Sequence, residues 1–205
     1  FQLYIYNISI TIDNCTFKMN IASIKGNSIM ITNSLMETVT ITCCQIIDCG
    51  TNTKTYAVIL SSTIILSFTY NQIRFTDPSK NCGCVELNSN GIYLFDGNYF
   101  QNAQCRSNLF KSAGIHFEGS PDQIAIINNT FDSIYGNNQG RCINLIINRN
   151  CLTLNNNTYK NCPLGSILVK VIFLEETNSF TIYQNNFIKN SFNDFFDLSV
   201  GSTPH

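Results

Sequence analysis

The chain has 205 residues, and only 12% of them are charged, against a typical ~25%; the formal net charge is −1. That length suits one domain with a sizeable core, and so weak and balanced a charge excludes the basic surfaces that bind nucleic acid or press against anionic membranes. Polarity comes instead from asparagine, serine and threonine, and a buried amide is tolerated only when it is hydrogen-bonded.

Taken in chain order, seven segments share one pattern: ITIDNCTF (10–17), VTITCCQI (39–46), LSFTYNQI (66–73), YLFDGNYF (93–100), IAIINNTF (124–131), LTLNNNTY (152–159) and FTIYQNNF (180–187). Their final residues, Phe17, Ile46, Ile73, Phe100, Phe131, Tyr159 and Phe187, are spaced by 29, 27, 27, 31, 28 and 28. Two residues before each anchor stand only Cys or Asn: Cys15, Cys44, Asn71, Asn98, Asn129, Asn157 and Asn185. Five and seven before it stand large apolar residues, and the position between is small or polar in every segment except at Leu94.

Apolar columns two apart mark strands, not helices. The step from five before the anchor to two before it is odd, so keeping both side chains inward demands a bend. Each segment therefore reads as strand, turn, strand. A second apolar pair follows in several blocks: Val58 and Leu60, Val85 and Leu87, Ile143 and Leu145, and Ile115 and Phe117 after a short insertion. Pro78, Pro121 and Pro163 fall where loops are expected.

One such repeat cannot bury its own apolar side, but stacked repeats bury theirs jointly. Coiling the chain so that each turn lies ~4.8 Å above the last sets like residues over like. The recurring Asn and Cys then form an interior ladder, with amides bonding to backbone and to the amides above and below. A β-sandwich with Asn-rich turns predicts no shared column identity. The expected fold is an all-β, parallel β-helix (solenoid) of about seven turns of roughly 28 residues, a single domain over 1–205. Phe1 in place of Met reads as a mature product or part of a longer chain.

These columns resemble those of right-handed parallel β-helix surface proteins, and in detail polymorphic outer-membrane-protein-type repeats with FxxN and GGAI motifs. Phe17-Lys18-Met19-Asn20 and Phe187-Ile188-Lys189-Asn190 match FxxN, and Ile46-Ile47-Asp48-Cys49 and Tyr159-Lys160-Asn161-Cys162 are Cys-ended variants. Ser112-Ala113-Gly114-Ile115 approaches GGAI. The chain is similar also to Asn/Cys-rich β-helix proteins on protist surfaces. The resemblance implies adhesion or surface display, with no cofactor.

The ten cysteines and four N-glycosylation sequons, at Asn7, Asn14, Asn128 and Asn156, point to a secreted or cell-surface protein. Asn14, Asn128 and Asn156 share one column beside the ladder, so their glycans are expected along one edge. Cys82-Gly83-Cys84 and Cys43-Cys44 lack zinc-ribbon spacing, and disulfides are the expected state. Cys15 and Cys44 are a candidate pair, because stacking sets their Cα atoms near the ~4.4–6.8 Å that a bridge accepts; free thiols standing in for Asn are the open alternative.

No metal, cofactor or catalytic constellation is expected. Asp13 and Asp96 share a column three turns apart, beyond the ~5–9.5 Å that paired glycosidase carboxylates need. Asp48, Asp77 and Asp132 lack acidic neighbours in their columns, and Glu175-Glu176 and Asp194/Asp197 read as solvated pairs. His116 and His205 have no partner at hydrolase or metal spacing. The apolar stretch ILVKVIFL (167–174) is too short to span a bilayer and contains Lys170.

The sequence thus predicts a non-enzymatic structural or adhesive solenoid with itself, surface glycans or proteins as partners. It would form part of a surface protein or stack end to end into filaments, since open solenoid ends expose unpaired backbone and core. The alternative is a polysaccharide lyase or glycoside hydrolase of the pectate-lyase-like β-helix type.

Overall fold

The computed structural model describes residues 2–3, 9–18, 28–32, 38–49, 55–61, 64–77, 82–88, 90–104, 113–135, 142–147, 151–162, 167–171, 179–188 and 196–200. Every regular element among them is a strand, and the strands form three parallel sheets of eight, seven and seven strands. The fifth segment shows one coil. Ile115–Gly119 runs in sheet 1, Gln123–Ile127 in sheet 2 and Thr130–Asp132 in sheet 3, after which Ile143–Ile147 re-enters sheet 1 above the start. The chain is a parallel β-solenoid.

Register follows the columns. In sheet 2, Tyr93 pairs with Leu66 and Ile124, and Ile124 with Leu152. In sheet 3, Phe100 pairs with Ile73 and Phe131, and Tyr159 with Phe131 and Phe187. A one-residue slip would turn every apolar side chain outward, so the two-residue period pins this register. The inward columns form one core that includes Val39, Ile41, Leu66, Phe68, Tyr93, Phe95, Ile124, Ile126, Leu152 and Leu154. At the anchor column, Phe100, Phe131, Tyr159 and Phe187 stack as near-parallel rings with centroids 4.9, 5.2 and 4.9 Å apart. That separation is close to the ~4.8 Å between strands, so the backbone repeat itself sets the rings face over face.

Two tight corners bend each coil. The corner between sheets 2 and 3 carries a left-handed residue at Asn14, Cys43, Tyr70, Gly97, Asn128, Asn156 and Gln184, with φ between 49° and 66°. The second corner, after sheet 3, carries another at Asp48, Asn102, Ser133 and Asn161. Asn and Gly accept this conformation at least cost. At Gly97 the demand is double, because a Cβ there would lie 2.7 Å from the Tyr70 ring. Gly114, in the GGAI-like stretch, has a steric cause instead: a Cβ would strike the Cys142 carbonyl oxygen.

Candidate functional site

The inner column of the first corner is built from backbone need. The left-handed residue sends its N–H to the next coil, as Asn128 N does to Asn155 O at 3.0 Å, and the residue after the ladder bonds to the coil before, as Thr130 N does to Asn98 O at 2.8 Å. The ladder residue's own N–H lies between these and is taken up by a side chain. Asn71, Asn98, Asn129 and Asn157 each donate N–H to the Oδ1 of the next Asn, at 2.9, 2.9, 3.0 and 3.1 Å. Each Nδ2 reaches back to a carbonyl of the preceding coil, Ile41, Phe68, Phe95 and Ile126 in turn, at 2.7–3.0 Å. Asn185 does the same to Leu154 O. Asn71, Asn98, Asn129 and Asn157 are at most 1% exposed. One amide thus satisfies two backbone groups that the bend would otherwise strand, at about 1–3 kcal/mol each.

Cysteine supplies half of this. Cys44 Sγ donates to Ile12 O and Thr42 O, the carbonyls equivalent to those that Asn129 and Asn185 bond, while its N–H donates to Asn71 Oδ1. The thiol offers no oxygen to the coil below; in its place the Cys44 sulfur accepts a hydrogen bond from the backbone of half-buried Cys15. The expected Cys15–Cys44 disulfide is not formed: Cys15 and Cys44 each keep a thiol. In-register stacking sets the two side chains parallel rather than convergent, and Cys15 Sγ turns to Asp13 O at 3.2 Å. Burial raises the Cys44 thiol above its ordinary pKa against a lowering by the Cys15 backbone hydrogen bond, and the Cys15 side chain and the Asp13 charge add to the rise. Cys49 and Cys162 repeat the device at the second corner, donating to Phe17 O and Ile47 O, and to Phe131 O and Lys160 O. This gives physical meaning to Cys-ended FxxN: the last residue is a buried donor to the preceding coil. Cys105 lies outside the described residues, as does the side chain of Cys151.

The sequon asparagines stand on the outer side of the first corner. Asn14, Asn128 and Asn156 are exposed, and Asn7 lies outside the described residues. An outer chain of amides joins neighbouring coils. Asn156 Nδ2 donates to Asn128 Oδ1, and Asn128 Nδ2 to Asp96 Oδ1, both at 2.8 Å.

At the second corner Asp132 gathers a polar cluster. It accepts from Tyr99 OH at 3.1 Å, Ser133 Oγ at 2.9 Å and Asn161 Nδ2 at 3.0 Å, with Lys160 Nζ at 3.6 Å. Burial pushes its carboxyl upward, but those hydrogen bonds and the Lys160 charge outweigh it and hold the pKa below the ordinary value. Asp48 plays a similar part, accepting from Thr76 N and Oγ1.

One polar row escaped the sequence reading. The outward column of sheet 1 runs Met30, Ile59, Glu86, His116, Asn144, Leu168 and Asp197. His116 stacks on Tyr56 with centroids 6.3 Å apart, and its Nε2 lies 3.9 Å from a Glu118 carboxylate oxygen. Ile59, His116 and Asn144 face away from the core yet are only 6%, 4% and 0% exposed. The signal was the central residue of each apolar pair, read before only for its flanks.

The remaining carboxylates are scattered. Asp13 and Asp96 occupy one outward column of sheet 2, separated by Thr42 and Thr69. Glu175, Glu176, Asp194 and His205 lie outside the described residues. Among the described residues no group of three or more His, Cys, Asp or Glu could hold a metal ion. No helix among them is long and apolar enough to cross a membrane. Neither protein-family profiles, nor curated proteins, nor solved structures yield a match to this chain.

Proposed function

We propose that the chain is a non-enzymatic extracellular solenoid with a structural or adhesive role, of the polymorphic outer-membrane-protein-type or protist surface kind that its FxxN and GGAI-like motifs resemble. The observation that carries this is the place of its exposed apolar side chains. Among the described residues, Ile65, Tyr70, Ile92 and Tyr183 are 39–64% exposed on the outer side of sheet 2 or its corner, while Ile182, 46% exposed, belongs to the inward column and is bared on the last described coil. Ile65 and Ile92 are paired in register, beside the column Thr40, Ser67, Leu94, Ala125 and Thr153. A regular face of this kind, with Asp13 and Asp96 in one of its columns and apolar side chains in another, suits contact with another macromolecule. The stiff ladder behind it limits the entropy lost on binding. The extracellular setting rests on the exposed sequons, since the expected Cys15–Cys44 bridge is not formed.

The half-buried apolar residues of the first and last described coils of sheets 2 and 3, Ile12, Phe17, Phe180 and Phe187, favour end-to-end contact between copies. Electron microscopy of the purified protein tests this, with elongated assemblies as the expected result. Charge placed on sheet 2 by Ile65→Lys with Ile92→Lys is expected to abolish lateral or adhesive contacts without unfolding the coil.

The polysaccharide lyase or glycoside hydrolase alternative has one observation in its favour, the row Glu86–His116–Asn144 on an outward sheet face. Against it, His116 and Asn144 are buried, and a substrate cannot touch them as they stand. Release of fragments from a uronate polymer by purified protein would overturn the adhesive reading.

A further inference from the structure

We infer that the outer face of sheet 3 binds an acidic polysaccharide laid along the solenoid axis. This deepens the adhesive reading, on which it rests, by naming a class of partner. The outward column of sheet 3 runs Lys18, Ile47, Arg74, Gln101, Asp132, Lys160 and Ile188. The structure describes only Lys18, Arg74, Lys160 and Lys170 among the basic residues, and three of these four share this column. Lys160 is engaged by Asp132. Lys18 and Arg74 have no carboxylate partner among the described residues. Lys18 is exposed and Arg74 half-buried; the Arg74 Nε is buried, so a ligand would meet the outer nitrogens of the guanidinium.

Two coils separate Lys18 from Arg74, about 10 Å at ~4.8 Å per coil. The parallel column beside them holds Thr16, Gln45, Gln72 and Tyr99. Gln45 is exposed, on the coil between the two cations, and Gln72, on Arg74's own strand, is half-buried; within the cations' column the residue between them is the buried Ile47. The face therefore offers sparse positive charge interleaved with uncharged amides and hydroxyls. An acidic polysaccharide presents the complement, a carboxylate or sulfate every sugar or two with hydroxyls between. Duplex nucleic acid does not, because it carries a charge every ~1.7 Å and selects dense basic surfaces.

The test is retention of the intact chain on immobilised heparin and hyaluronan, with uncharged dextran and duplex DNA as comparisons, at low and high salt. Salt-sensitive binding to an acidic polysaccharide and none to dextran is expected. Lys18→Gln with Arg74→Gln should weaken binding about tenfold, and Lys160→Gln, whose charge Asp132 already uses, by less than about twofold. Unchanged thermal melting of the variants shows that folding is not the cause. Equal retention on dextran, tighter retention on DNA, or indifference to the double substitution would overturn the inference. Self-assembly without polysaccharide binding would overturn it while leaving the adhesive reading intact. Cleavage of the polymer would remove the adhesive reading itself.

Discussion

A single asparagine in the interior column answers two backbone groups at once, and its removal should show it. Asn129→Ala would strand the Asn98 N–H and the Phe95 carbonyl inside a dry corner. The expected loss is about 3–5 kcal/mol of stability by urea unfolding, the sum of two buried unsatisfied groups. Cys44→Asn has the opposite sign. It would keep the donor to Ile12 O and give the Cys15 N–H an amide oxygen in place of a weaker sulfur acceptor, so a gain of up to about 1 kcal/mol is expected; destabilisation would mean that the thiol is chosen for shape. Asp132 gives the acid dependence. Its folded pKa is lowered, so its contribution is complete above the unfolded carboxylate value of about 3.9 and is lost as pH falls through the folded value. Urea midpoints should therefore drop below about pH 4, and Asp132→Asn should flatten that part of the profile.

At the scale of strands and corners, periodicity carried most of the fold. The two apolar columns of sheet 2 and the aromatic anchor of sheet 3 could be read directly, because inward side chains recur at a fixed offset from one bend. The second corner was not legible in the same way. Its left-handed residues are Asp48, Asn102, Ser133 and Asn161, four positions of three residue types that share a conformation rather than an identity. The outward row of sheet 1 was hidden for a related reason: solvent-side positions carry no common chemistry, and Glu86, His116 and Asn144 form a row only once the coils are stacked. The Cys15–Cys44 bridge failed because Cα spacing is necessary for a disulfide but the direction of the side chains also counts. Two substitutions test the elements. Asn156→Ala should cost about 1 kcal/mol, because alanine lacks the short polar side chain that lets Asn tolerate the left-handed region, whereas Asn156→Gly should stay within about 0.5 kcal/mol. Phe131→Ala, in the middle of the ring stack, should cost about 3–5 kcal/mol, measured by the same unfolding curves.

Over the whole molecule, every layer depends on its neighbours, through ring on ring and amide on amide, and the outer faces are free to differ. Sheet 2 is partly apolar with Asp13 and Asp96 in one outward column, sheet 3 carries sparse cations among amides, and sheet 1 has His116 and Asn144 buried. This division of labour follows from one claim, that successive coils set equivalent residues over each other along a continuous interior column. Nuclear Overhauser contacts between side-chain amides of isotope-labelled protein test it most directly. The account predicts an unbroken chain of contacts from Asn71 through Asn98, Asn129 and Asn157 to Asn185, with slow exchange of the buried amide protons. Rapid exchange of those protons and no contact between consecutive members would contradict it.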